Sequence, residues 1–272
     1  MTERFNNPAV NVLLTAVVIL VLGVNLGLAQ DWSSILEQAE AKYAKFESEV
    51  KDMTIVQEMK MVTPEGEMVS EIKMLKKGEK FRMETKMEAP ETPEMPEGMA
   101  GMETVVIYDG KDTWMISPFL GKKKLSGEEE KQYQKERDWW KLVSEKAKIV
   151  GTEKVGEREC YVVQMEEEKE FPFTRLWLDK KNLDLTKGES KRRKGETIVW
   201  IHSDFRKIKG DWKMPYKTEI YADGKLMSTS LVKTLEINQG LSDDLFDPAK
   251  VKIKGFSIQE MKRKMMPEKE EE

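Results

Sequence analysis

The sequence predicts a mainly β protein with a few helices, an α+β chain whose strands form one large antiparallel sheet, curled to shield its apolar face. Three observations predict it. Apolar residues alternate with charged ones over short runs, turn pairs such as Asp109-Gly110 and Asp223-Gly224 interrupt those runs at regular intervals, and helical spacing is confined to a few stretches.

The first stretch is not part of the sheet. An apolar run from Pro8 to Ala29 follows Arg4, and Gly27-Leu28-Ala29 fits the small-x-small cleavage pattern, so residues 1–29 read as a secretory signal peptide cut after Ala29. The run is also close to the roughly 20 residues that span a bilayer, which keeps an uncleaved N-terminal anchor as the rival reading. No cysteine follows it, so the chain is not itself lipidated there.

Next, Ser34 and Glu37 have capping-box spacing. Ile35, Leu36, Ala39, Tyr43, Phe46 and Val50 then recur at three- and four-residue intervals, which predicts an amphipathic helix with one face to bury on the sheet that follows. From Met53 the period becomes two. Met53, Ile55, Met59 and Met61 share one face; Met68, Ile72 and Met74 continue it after a turn at residues 64–66; Phe81, Met83 and Met87 continue it after Lys77-Gly78-Glu79. Lys80, Arg82, Glu84 and Lys86 take the opposite face, so the meander has one dry and one wet side. The segment 88–103, rich in proline, glycine and methionine, reads as a long flexible loop. Its Met95, Met99 and Met102 are either incidental or a mobile apolar flap.

Val105 to Ile116 reads as a hairpin turned at Asp109-Gly110. Ser126 and Glu129 cap a second helix running to about Lys146, with Tyr133, Trp140 and Val143 near one face. Strands then resume over residues 149–155, 159–165, 174–179, 185–192, 197–208, 216–222 and 226–237. Ser242 caps a short helical turn carrying Leu245 and Phe246. A final helix over 257–266 and the polar end PEKEEE, read as disordered, close the chain. No linker divides residues 30–256, which read as a single domain.

Composition removes several functions. Lys+Arg 46 against Asp+Glu 50 leaves a net charge of -4, with no single-sign field for nucleic acid. Cys160 and His202 are each the only residue of their kind, so disulfides, cysteine-rich zinc sites and Cys–His pairs are not expected, and Cys160 reads as a small buried apolar side chain. In His202-Ser203-Asp204, strand alternation sends Ser203 to the face opposite the other two, which rules out a catalytic triad. No phosphate-binding glycine loop or nucleophile elbow is present. An enzyme is not expected, nor a cofactor or metal.

The dry face remains. Methionine is flexible and polarizable, so a wall of Ile55, Met59, Met61, Met68, Ile72, Met74, Phe81, Met83 and Met87 suits apolar ligands of varied shape. An ordinary β core gives the same pattern.

Beside these readings stands a resemblance. The helix-then-meander order, YDGKDTW followed by Ser117-Pro118-Phe119, GTEKVGERECYVV, LWLDKKNLDL and GLSDDLF together resemble the LolA/LolB-type lipoprotein-sorting superfamily. The resemblance implies an incomplete antiparallel barrel with helices covering the mouth. It also implies a monomeric periplasmic carrier that receives an acylated lipoprotein or other lipid from an inner-membrane ABC transporter and passes it to an outer-membrane acceptor. Acyl chains would lie in the apolar interior. Lys77 stands where the carriers have an arginine that helps hold the lid and govern loading, and a lysine lacks the planar fork of that arginine. Two alternatives share the fold: an RseB-like sensor of lipid or lipoprotein that regulates a membrane partner, and a structural envelope protein with a filled core.

Overall fold

In the computed structural model the described residues are 31–252, without 65, 89–100, 119, 128, 131–132, 134–142, 144–146, 166–172 and 193–194. The expected signal peptide, final helix and tail lie outside them, as do Met95 and Met99 and most of the second helix, of which Glu129, Glu130 and Tyr133 are helical.

Helix α1 spans Trp32–Glu49. The strands are β1 (Asp52–Thr63), β2 (Gly66–Lys77), β3 (Lys80–Glu88), β4 (Glu103–Tyr108), β5 (Thr113–Ser117), β6 (Gly121–Lys124), β7 (Lys148–Val155), β8 (Arg158–Gln164), β9 (Arg175–Asp179), β10 (Leu185–Lys191), β11 (Thr197–Lys209), β12 (Trp212–Ala222) and β13 (Lys225–Ile237). They form one 13-stranded antiparallel sheet in the order β6-β5-β4-β3-β2-β1-β13-β12-β11-β10-β9-β8-β7. Each half is a meander, and among the described residues β1 against β13 is the only pairing between strands distant in sequence. The sheet does not close, since β6 and β7 are its two edges. The expected curled sheet, an incomplete barrel, is what the chain forms.

The two halves differ in regularity. Pairings from β1 through β6 run without a register shift. Shifts occur where β1 meets β13 and in β7/β8, β9/β10, β11/β12 and β12/β13. Each extra residue bends its strand and steepens the local twist. Bending is thus concentrated in the C-terminal half and at the junction.

Helix α1 lies on that bent half. Its Trp32, Ile35, Leu36 and Ala39 pack with Val163, Leu176 and Leu178 of β8 and β9, and with Val143, Ala147, Met165 and Leu183. Burying Ile35 and Leu36 stabilises by about 1.5–3 kcal/mol each. Lys42 adds a polar clamp, its Nζ donating to Asp184 Oδ1 at 2.7 Å and to the Asn182 carbonyl at 2.7 Å. At the other end, Tyr43 and Phe46 meet Trp212, at ring separations of 6.0 and 4.9 Å, and the Glu49 carbonyl accepts from Lys209 Nζ and Asn238 Nδ2. The helix therefore crosses from β8–β9 to the β11–β12 turn.

Two local expectations are corrected. The helix starts at Trp32 with Asp31 as its cap residue, so Ser34 lies inside the first turn and forms no capping box. Burial of Trp32, 5% exposed, makes the earlier start favourable. The helix does not lie on the adjoining β1–β3 but on the distant β8–β9. Residues 121–124, all exposed, pair with β5 as an edge strand.

Candidate functional site

The face that α1 covers is the inner face. Register carries it across the sheet in one row, from Val163 and Leu176 through Gly188, Trp200, Ile220, Ser228 and Met61 to Met68. The methionine wall thus lies on the same side as α1, but on the other half of the sheet.

All nine wall residues read from the sequence share this face. Ile55 pairs with Met74, Met74 with Met83, and Met83 with Val106; Met61 pairs with Met68; Met59 pairs with Ser70, and Ser70 with Met87. Phe81 stacks on Tyr108 at 6.0 Å. Ile55 and Ile72 are buried, at 5% and 8% exposure, whereas the six methionines and Phe81 are only half-buried. The chain leaves this row of flexible side chains within reach of solvent instead of sealing it as α1 seals Leu176. Of the three loop methionines only Met102 is described, and its carbonyl accepts from Met87 N at 3.0 Å beside the wall.

Past β13 the inner face turns polar, which the methionine pattern does not reveal. Met59 pairs with Ser230, Ser230 with Thr218, and Thr218 with His202. His202 Nδ1 lies 2.9 Å from Thr218 Oγ1. The residue is half-buried, and burial pushes its pKa down to about 4. Beside it, Trp200 lies flat over Gly188 and contacts Phe173 at 5.1 Å.

The outer face carries the closing segment. Leu75, Val105, Ile107 and Ile116 bury Phe246, with Leu241, Leu245 and Val251 around it. Ser242 caps the 3-10 turn Asp243–Phe246, its hydroxyl accepting from Asp244 N. Buried Asp52 holds the preceding bend by accepting from Gln239, Gly240 and Leu241 N–H at 2.8, 2.9 and 3.3 Å. Arg82 Nη1 donates to the Leu245 carbonyl. Lys77 belongs to this set: its Nζ donates to the Leu241 carbonyl at 2.8 Å and lies 3.2 Å from Asp243 Oδ2. Hydrogen bonds from Lys80 and Lys77 lower the Asp243 pKa. Sequence reasoning singled out Lys77, as a lid residue and not as a clip on this segment, and did not single out Asp52 or Arg82, because one acid at a strand start and one base in an alternating run carry no distinctive signal.

The remaining chemically suggestive residues have other partners. Ser203 pairs with Lys217 on the outer face, while Asp204, at φ +51, turns to Arg206 and is bonded there. Cys160 is fully buried, 3.2 Å from Thr186 Oγ1, and burial raises its thiol pKa. Among the described residues no His, Cys, Asp and Glu group could hold a metal ion, and no helix is long and apolar enough to cross a membrane.

The fold is an open curled sheet carrying a helix on its inner face. Three solved structures share it. A domain from Vibrio parahaemolyticus described as an outer membrane lipoprotein-sorting protein domain matches at TM-score 0.53 and 18% identity, over 79% of this chain and 96% of its own. A DUF1329 family protein from Desulfovibrio piger matches at 0.61 and 16%, over 82% and 99%. A LolA superfamily protein from Nitrosomonas europaea matches at 0.52 and 15%, over 79% and 96%. The chain belongs to the family whose model, described as "-like: Uncharacterized protein", matches residues 94–252. None of the curated proteins matches it.

Proposed function

We propose that the inner face binds the acyl chains of lipoproteins or other lipids, and that the protein carries them through the periplasm from the inner to the outer membrane. It works by binding alone, without cofactor or covalent chemistry. An inner-membrane ABC transporter loads it and an outer-membrane acceptor unloads it. The observation that carries this reading is the unequal cover of one continuous face: α1 seals the half over Leu176 and Leu178, while the methionines of β1–β3 remain half-buried. Flexible thioether side chains re-pack around differing chain lengths at little cost. The fold shared with lipoprotein-sorting domains supports the same class of ligand.

The test begins with gentle purification from the periplasm of a two-membrane host and mass spectrometry of organic extracts. Stoichiometric acylated cargo is expected. Met83→Glu places a carboxylate between Met74 and Val106, where an unpaired charge opposes an apolar ligand, and a fluorescent fatty acid should then bind at least tenfold more weakly while the far-UV spectrum is kept. An empty wild-type protein that also ignores the fatty acid would instead establish the methionine face as filled core.

A further inference from the structure

Resting on that binding reading, we infer that the row Ser230, Thr218 and His202 is a recognition site for the ester or amide carbonyl of the bound acyl ligand. The three side chains lie side by side on adjacent strands of the inner face, Ser230 opposite Thr218 and Thr218 opposite His202. Directly opposite residues in an antiparallel pair bring their Cβ atoms to about 4.5–5.5 Å, so Ser230 and Thr218 can meet one functional group, with His202 one strand further on.

The hydrogen-bond account points to an acceptor. Ser230 Oγ is buried and has no partner among the described residues. The Thr218–His202 pair, 2.9 Å apart, uses only one hydrogen between them. If Nδ1–H donates to the hydroxyl oxygen, the Thr218 O–H remains to be given. If Thr218 donates to Nδ1, the Nε2–H remains instead. In either tautomer the row offers two donors, one from Ser230 and one from the pair, beside the methionines of β1 and β2. A buried donor without an acceptor costs more than the bond itself returns, so a ligand carbonyl restores what the empty site lacks.

The charge state selects the class of carbonyl. With the imidazole pKa pushed down to about 4, His202 is neutral near pH 7. The row on one side, Met68, Met61, Ser228, Ile220 and Trp200, carries no charge, and on the other side the Arg206 guanidinium is already paired with Asp204. A carboxylate or phosphate would have to compete with Asp204 for that cation, whereas a neutral ester or amide loses little on desolvation and gains two hydrogen bonds. Met59, Met61, Met68 and Ile220 flank the row and provide apolar surface for the hydrocarbon on either side.

Two probes separate this site from the general apolar surface: dioleoylglycerol, which carries neutral ester carbonyls, and diphenylhexatriene, a hydrocarbon with no polar atom. Both are titrated into the full chain, wild type and Ser230→Ala, with Ser230→Ala/Thr218→Val as a second variant. For Ser230→Ala, dioleoylglycerol affinity should fall about tenfold, the effect of one hydrogen bond in a dry site, with a further fall in the double variant. Diphenylhexatriene affinity should be unchanged, and the melting temperature of ligand-free Ser230→Ala should not drop, because its hydroxyl has no partner among the described residues. Unchanged dioleoylglycerol binding, an equal fall for both probes, or a lower ligand-free melting temperature would each overturn the inference alone. A wild-type protein that binds neither probe would overturn the binding reading together with it.

Discussion

Gly188→Ala tests how the inner face is shaped. A Cβ built on Gly188 lies 2.3 Å from Trp200 Cζ2, 2.4 Å from Cε2 and 2.7 Å from Nε1, against ordinary carbon contacts of about 3.5–4.0 Å. The indole must therefore move by about 1 Å or more, which also disturbs its 5.1 Å contact with Phe173. Overpacking of this kind costs about 1–3 kcal/mol. In an open strand position the same change would stabilise by about 0.5–1 kcal/mol, because alanine loses less backbone entropy than glycine. The contact therefore decides the sign. At about 2–4 °C per kcal/mol for a domain of this size, melting should fall by roughly 3–10 °C. Thermal denaturation of Gly188→Ala alone and in a Trp200→Ala background measures it. The substitution should cost little once the indole is gone, giving a coupling energy of about 0.5–3 kcal/mol. An alanine variant as stable as the wild type, or the same loss in both backgrounds, would refute the reasoning.

Two further outcomes are expected. His202 has a folded-state pKa of about 4 against 6.5 for the free side chain, so between those values the unfolded chain binds a proton that the folded chain refuses. Stability contributed by the neutral ring is complete above pH 6.5 and is lost as pH falls towards 4, by about 3 kcal/mol in all; urea titrations should show this slope and its flattening in His202→Gln. Lys77→Ala removes one donation to the Leu241 carbonyl and a half-exposed ion pair, a stability loss of about 1 kcal/mol. If Lys77 governs loading, ligand uptake from donor vesicles should slow by much more than that loss explains. A lower melting temperature with unchanged uptake would make it a clip for the closing segment only.

The inward row of β1–β3 was legible because charged side chains on the opposite face fix the parity of Ile55, Met74 and Met83, although Leu75 on that opposite face is buried under the closing segment. The hairpins of β11–β13 were legible because Lys209-Gly210-Asp211 and Asp223-Gly224 punctuate them. Strand β6 was not, since Lys122, Lys123 and Lys124 are all exposed and an edge strand without a buried face leaves no alternation. The periodicity of α1 named the face it buries but could not name its partner, because Val163 and Leu176 look like any other apolar strand residues. At the site, the methionines were visible as a local pattern. Ser230, Thr218 and His202 were not, for they meet only through cross-strand register, and a serine on a strand reads as solvent-facing until its neighbours are known.

The pairing of β1 with β13 has a consequence for how the chain reaches this shape. Strands β1–β6 and β7–β13 each assemble from neighbours in sequence, most of them joined by short turns, so both halves offer low contact order and can collapse early. Joining them requires two strands from opposite ends of the described chain to meet, with the loop-closure entropy of everything between. That seam is the natural late step of folding. It is also a natural place to rewire the molecule: a circular permutant opened between β6 and β7, with β13 linked to α1, keeps every strand pair while bringing the seam's two strands close together in sequence.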